Sequence, residues 1–369
     1  MNAASFNNLF PNTAQELLLR AALATGAESG AFYCKWLDLV PFDGQHDEGS
    51  YRLLPLVWSN LSRTDVDYPH MGRLKGIFRN NWVKNAKRFA LAADLLRAFQ
   101  SKEIPTLVGK GLPLAIDFYD APAHRPMNDL DIMVRPVDAP RASELLEELG
   151  FLTDRASWAS EQRMRHALSH VHPERGEVDL HWHVLTDCQN DESDRHFWEN
   201  SVPIDVGGAR TRRPSATDML LHIVIHGIRP NVMPPIRWVP DAVMVIRSGE
   251  TIEWERLVQF SIDHGISARM KLGLGYLKDR LQVDIPAEVL QALEARPSLL
   301  ERIELHAMER EITRQTWRQI RRGTHLIRLV RSDARPWTFP LALARELHKR
   351  LLGPAARRSG GGRARSHGN

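Results

Sequence analysis

Cysteine is nearly absent: Cys34 and Cys188 are the only two in 369 residues. Two thiols make neither a disulfide framework nor a cysteine zinc site, and such usage fits a reducing cytoplasm. No apolar run approaches the ~18 residues of a membrane span. The start, MNAASFNNLFPNTAQELL, also lacks a basic stretch leading into an apolar one. The expectation is therefore a cytoplasmic chain with no integral membrane segment. No G-x-G-x-x-G follows a strand pattern, which excludes a doubly wound dinucleotide fold. No H-E-x-x-H and no internal repeat occurs. What is present is the composition of a globular protein with a real core, 43% apolar and 25% charged. The length suits two domains or one elaborated unit.

Charge is scarce in the sum and abundant in the parts. The net value is +4, yet residues 310–369 hold 15 Lys/Arg against 3 Asp/Glu, a net of +12, leaving −8 for residues 1–309. An acidic body with a basic end disfavours nucleic-acid binding by the whole surface. Within that end, Arg310, Arg314, Arg318, Arg321 and Arg322 follow helical spacing near Trp317, Ile320, Ile327 and Trp337. A solvated or salt-bridged face is the plain reading. An anionic lipid surface or an acidic partner is the sharper one. Nucleic acid is weaker still, since no aromatic-rich basic stripe recurs.

Apolar residues at helical spacing over 13–25, 32–40 and 86–101 predict a mainly helical region 1–100. A mixed α/β core follows over 101–205. It contains a short strand at 106–108, the Gly109-Lys110-Gly111 turn opening a helix, an alternating strand at 128–134, a helix to Gly150 and a hairpin from 166–172 and 177–184. Helical pattern returns over 206–353, and the tail 354–369 has little to bury and is expected to be disordered. The fold class expected is α+β, a small mixed β-sheet core with helical N- and C-terminal additions.

Asp129 and Asp131 stand two apart on the alternating strand, so both carboxylates leave one face while Leu130 and Ile132 pack behind. Two close carboxylates repel unless a cation lies between them, and hard oxygen ligands favour Mg²⁺ or Mn²⁺ over zinc. Upstream, free N–H groups at the Gly109-Lys110-Gly111 turn suit a phosphate. Downstream, Asp179 sits on a second alternating strand, with Val178, Leu180 and Trp182 on the other face.

The ordered set Leu107-Val-Gly-Lys-Gly111, Arg125-Pro-Met-Asn-Asp129-Leu-Asp131-Ile-Met-Val134 and Val178-Asp-Leu-His-Trp182 resembles the uncharacterised bacterial nucleotidyltransferases of the polymerase-beta-like superfamily. Arg237-Trp-Val-Pro-Asp241 adds weaker support. The resemblance implies a Mg²⁺-dependent enzyme moving a nucleoside monophosphate from an NTP such as ATP to an acceptor hydroxyl, with pyrophosphate released. It implies two metal ions held by Asp129, Asp131 and Asp179, of which Asp179 takes the acceptor proton. It further implies phosphates steadied by Gly109, Lys110, Gly111 and Arg125. The wider superfamily has Gly-Ser or Gly-Gly where Lys110-Gly111 stands here. That departure motivates an alternative, a catalytically degenerate nucleotide-binding or partner-regulating module of the same fold. The acceptor is left open among small molecule, sugar, peptide and protein.

Five of the 16 histidines fall between His166 and His183. A histidine-centred zinc hydrolase is the rival chemistry, and plain structural roles outweigh it. With a four-residue turn at 173–176, His172 would pair with Glu177 and His170 would face Asp179, with His181 on the same strand face. His170 and His181 are thus expected beside the acidic site. His222, His226 and Asp241 lie on apolar helices, where core packing is the default and lining of a nucleotide or acceptor cleft is the alternative.

Overall fold

A computed structural model describes residues 9–153, 166–229, 235–295 and 297–308, with a few positions between 316 and 328. The arginine run and the tail 354–369 lie outside the described residues.

Four helices open the chain: α1 (Thr13–Leu23), α2 (Gly26–Leu39), α3 (Glu48–Leu61) and α4 (Met71–Ser101). Asn12 and Gln15 form a reciprocal cap at the start of α1, each side chain accepting from the other's backbone N–H. At its far end the Asn60 amide, buried on α3, donates to the carbonyls of Ala22 (2.8 Å) and Ala24 (2.9 Å). The free carbonyls that end every helix are thereby satisfied, and α3 is fixed across α1.

Six strands then form one mixed sheet in the order β3-β4-β2-β1-β6-β5. They are β1 (Leu107–Val108), β2 (Asp129–Met133), β3 (Ala167–His172), β4 (Gly176–His181), β5 (Val202–Val206) and β6 (Ala209–Arg213). The central pair β2–β4 is parallel, and β3–β4 and β5–β6 are hairpins. The mixed sheet inside helical additions is the fold class read from the sequence. The sheet nevertheless runs past residue 205, since β6 pairs with β1. Positive φ at Gly207 (57°) and Gly208 (80°) closes this second hairpin in a two-residue turn.

The sheet separates two apolar cores. On one face Leu130, Ile132, Val178 and Leu180 pack with Leu95, Leu96 and Phe99 of α4 and with Leu145 and Leu146 of α5 (Ala139–Glu148). The other core is helical. It joins Leu18, Trp36 and Leu54 of the N-terminal helices to Leu220 and Val224 of α7 (Ala216–Gly227) and Val243 of α8 (Trp238–Arg247). Helix α6 (Asp191–Glu199) lies between them in sequence. The helical regions before and after the sheet therefore share one core. No described helix is long and apolar enough to cross a membrane.

Candidate active site

Parallel pairing of β2 and β4 sets Asp131 opposite Asp179 and Asp129 opposite Glu177. The apolar residues between them are held in the core behind, so the acids emerge together on the opposite face. The Gly109 N–H donates to the Asp131 carbonyl at 3.0 Å, which seats the turn against β2. A Cβ on Gly109 would overlap the terminal methyl of Met133, which would have to swing aside. Lys110 follows with φ 46° and ψ −114°, a conformation costly for a residue with a Cβ. Its ammonium pairs with the Asp131 carboxylate.

His181 Nε2 is 2.9 Å from the same Asp131 oxygen. Asp131, Asp179 and His181 each present one ligand atom, all within 4.8 Å of one another. Two carboxylate oxygens and an imidazole nitrogen at that spacing suit a divalent cation; imidazole in the set favours Mn²⁺ as readily as Mg²⁺. Asp129 stands outside this trio, half-buried at the start of β2, where its charge acts on Arg52 and Arg88.

The two paired aspartates are pushed in opposite directions. Burial alone would raise the Asp131 carboxyl, but the Lys110 ammonium and the His181 hydrogen bond outweigh it and hold it well below the usual carboxylate range. Asp179 is raised, first by burial and then by the Asp131 charge beside it.

His170 corrects the sequence reading. The hairpin closes one residue earlier than expected: His172 pairs with Gly176, whose φ of 112° makes the turn, so Ser169 faces Asp179 and His170 faces Val178. A one-residue shift moves a side chain to the other face. The fully buried His170 ring lies 2.8 Å from Ser143 Oγ and 3.2 Å from the Leu168 carbonyl, away from the acids. The other histidines disperse as well. His183 Nδ1 pairs with Asp194 at 2.5 Å, and His166 lies tilted with its ring centre 5.4 Å from that of His181 while bonding Thr186. Among the described residues only His181 of the five joins a group of metal-ligating side chains, so the five histidines do not gather into one ligand set.

Arg125 is buried beneath the site. Its Nε donates to Asp241 at 2.6 Å and its Nη1 to the Pro126 carbonyl at 2.8 Å. The Tyr119 hydroxyl donates to the same Asp241 oxygen at 2.8 Å. Burial works against the Arg125 charge, but Asp241 outweighs it and keeps the guanidinium's pKa above its ordinary value. One Arg125 donor expected to face phosphate thus ties the loop before β2 to α8, and a second is spent within the loop.

Beside Lys110 opens a cleft whose far wall is α7 and α8, with Arg125, His222, His226, Arg229, Arg237 and Trp238 among its lining. His222 and His226 border this cleft, and His222 is at the same time buried against the helices. Burial, then the nearby Lys110 charge, lowers His222 to about 3. Arg237 and Trp238 had no assigned role in the sequence; the signal was the Arg237–Asp241 run itself.

Residues 50–282 match the family described as uncharacterised nucleotidyltransferase. No curated protein matches the chain. Among solved structures, the antibiotic-resistance factor ANT(2'')-Ia is 13% identical, over 54% of this chain and 95% of that one, with a TM-score of 0.35. An antigenic nucleotidyltransferase-like protein from Paracoccidioides brasiliensis is 14% identical, over 57% of this chain and 93% of its own, with a TM-score of 0.36. Likeness at that level carries no weight here. The family match alone spans well over half of the sequence and includes the turn, both acidic strands and the cleft helices: the chain belongs to the family of uncharacterised nucleotidyltransferases.

Proposed function

We propose that the chain transfers a nucleoside monophosphate from an NTP to an acceptor hydroxyl in a divalent-cation-dependent reaction. The observation that carries this reading is the register of β2 against β4, which sets Asp131 against Asp179 with His181 beside them and Lys110 at their edge. Asp131, Asp179 and His181 would hold the cation, with Asp129 on the same strand face as a further donor. When bound, Mg²⁺ or Mn²⁺ supplies charge that stabilises the entering and leaving oxygens at the α-phosphorus.

The chain's own groups do the rest. The Lys110 ammonium leaves Asp131 and follows the phosphates, while Gly111 offers its backbone N–H; the Gly109 N–H stays on the Asp131 carbonyl. Asp179 is the carboxylate whose proton affinity is raised by its surroundings, which suits it to take the proton of the acceptor hydroxyl. The new P–O bond forms as the bond to pyrophosphate breaks, and the acceptor proton passes to Asp179. The test is pyrophosphate release with each NTP, Mg²⁺ or Mn²⁺ and an extract of acceptors. Asp131→Asn is expected to lower turnover by about 10²–10³-fold, the scale of losing one aimed charge at a reacting centre. Undiminished turnover in that variant would overturn the reading.

One observation favours the alternative, a nucleotide-binding module without turnover: Lys110 already neutralises the acid that a cation would use. Mg-NTP binding by calorimetry with no pyrophosphate release for any acceptor would establish it.

A further inference from the structure

We infer that the cleft between Lys110 and helices α7 and α8 is an oxyanion subsite, centred on Arg237 and made for a phosphate group. The site's chemistry is read from its own residues; its position beside Lys110 ties it to the transferase reading above, on which only the choice between two phosphate sources rests.

Charge balance comes first. Lys110, Arg125, Arg229 and Arg237 line the cleft with the carboxylate of Asp241, and Arg229 already has an interaction of its own. Lys110 is held by Asp131 and Arg125 by Asp241. Arg237 has no hydrogen bond or ion pair among the described residues, and it is half-buried in the cleft wall. A guanidinium taken from water without a counter-ion is strongly disfavoured. The strain shows in its proton affinity, which burial and then the Arg125 and Arg52 charges lower to about 10. A cation kept in this state by the fold calls for an anion that arrives from outside.

The walls are built for polar contact as well. Trp238 and His222 line the cleft at 5% and 4% exposure, and the Trp238 Nε1–H and His222 Nδ1 have no hydrogen-bond partner. Similar unpartnered atoms, Gln15 Nε2 and Tyr276 Oη among them, occur elsewhere in the described residues, so it is their place beside Arg237 that matters here. Trp238 is seated deliberately: a Cβ on Gly227, the last residue of α7, would overlap its indole. The free space is about 80 Å³, on the order of a few water molecules. It admits a compact tetrahedral oxyanion. Arginine matches the planar, multidentate geometry of phosphate.

The phosphate can come from the nucleotide's terminal end or from a phosphorylated acceptor, and both present the same oxygens to Arg237. Calorimetric titration of the metal-free protein with orthophosphate and with pyrophosphate, at constant ionic strength set by chloride, reads the subsite directly. Wild type is expected to bind, and Arg237→Gln to lose at least tenfold in affinity. Trp238→Phe, which keeps the ring and removes the N–H, is expected to lose a few-fold. Arg63→Gln, on an exposed ion pair remote from the cleft, controls for general charge.

Arg237→Gln is also expected to raise the melting temperature of the ligand-free protein, because it removes an unpaired half-buried cation; this shows that lost binding is not lost folding. Repeating the phosphate titration with saturating Mg-NTP separates the sources. Competition assigns the subsite to the nucleotide, and undisturbed phosphate binding assigns it to the acceptor. Absence of phosphate and pyrophosphate binding in wild type, or equal binding by Arg237→Gln, overturns the proposal. None of these readouts needs turnover, so the subsite stands or falls apart from the transferase reading.

Discussion

The acidic strand pair and the basic cleft meet at Lys110, and they are held together in opposite ways. At the acids, charge is balanced locally: Lys110, Asp131, Asp179 and His181 lie on a turn and two adjacent strands, and backbone pairing alone brings them together. At the cleft, balance is made over long distances in sequence, with Arg125 reaching Asp241 across 116 positions. The first arrangement is fixed by the sheet; the second fixes the helices to the sheet. Function at the acids is therefore separable from stability, and at the base of the cleft it is not.

The largest effect that tests this contrast is Asp241→Ala. It leaves Arg125 without its counter-ion and Tyr119 without its acceptor, in a site with 5% exposure at Asp241. Chemical denaturation is expected to show a loss of about 3–5 kcal/mol, the range for a broken buried ion pair. A loss under 1 kcal/mol would show that the cleft is held by packing alone.

A middling effect is expected from Lys110→Met. Removing the ammonium that competes for Asp131 should tighten Mn²⁺ binding to the nucleotide-free protein by about three- to tenfold, as one nearby charge is withdrawn. The same change should weaken NTP binding. Titration of Mn²⁺ followed by paramagnetic resonance distinguishes this from a lysine that merely decorates the surface, for which neither affinity moves.

The smallest effect is thermal. Asp179 has a raised proton affinity in the folded chain, so the folded state binds the proton more tightly than the unfolded one. Its contribution to stability is largest below the unfolded carboxyl range and declines as pH rises through the folded value. Asp179→Asn should consequently raise the melting temperature of the metal-free protein at neutral pH by about 1–3 °C, while abolishing stabilisation by added Mn²⁺. The gain should shrink as the pH falls and wild-type Asp179 takes up its proton. A lower melting temperature at neutral pH would mean the carboxylate is structurally needed.

The local half of the site was legible from sequence because strand alternation is a two-residue code. Asp129 and Asp131 share a face, and Val178, Leu180 and Trp182 turn inward as their spacing requires. The same code failed at His170, where one residue in the length of a turn reverses every side chain beyond it. The β5–β6 hairpin was missed although Gly207-Gly208 announced a turn, because its second strand reads Ala-Arg-Thr-Arg-Arg. Arg213 is buried there, bonded to Asp117 and Glu250. No periodicity reveals an inward arginine whose partners lie far along the chain. Arg237 escaped for a related reason: what marks it is the absence of a partner, and absence becomes visible only in three dimensions.

Lys110 also bears on how the protein is made. Because the turn delivers a positive charge onto Asp131, the strands can close over their acids before any ion is acquired. Closure of the two strands over Asp131 is thus compatible with a site that has yet to take up an ion. A cation arriving at Asp131 would exchange with the lysine rather than fill a void.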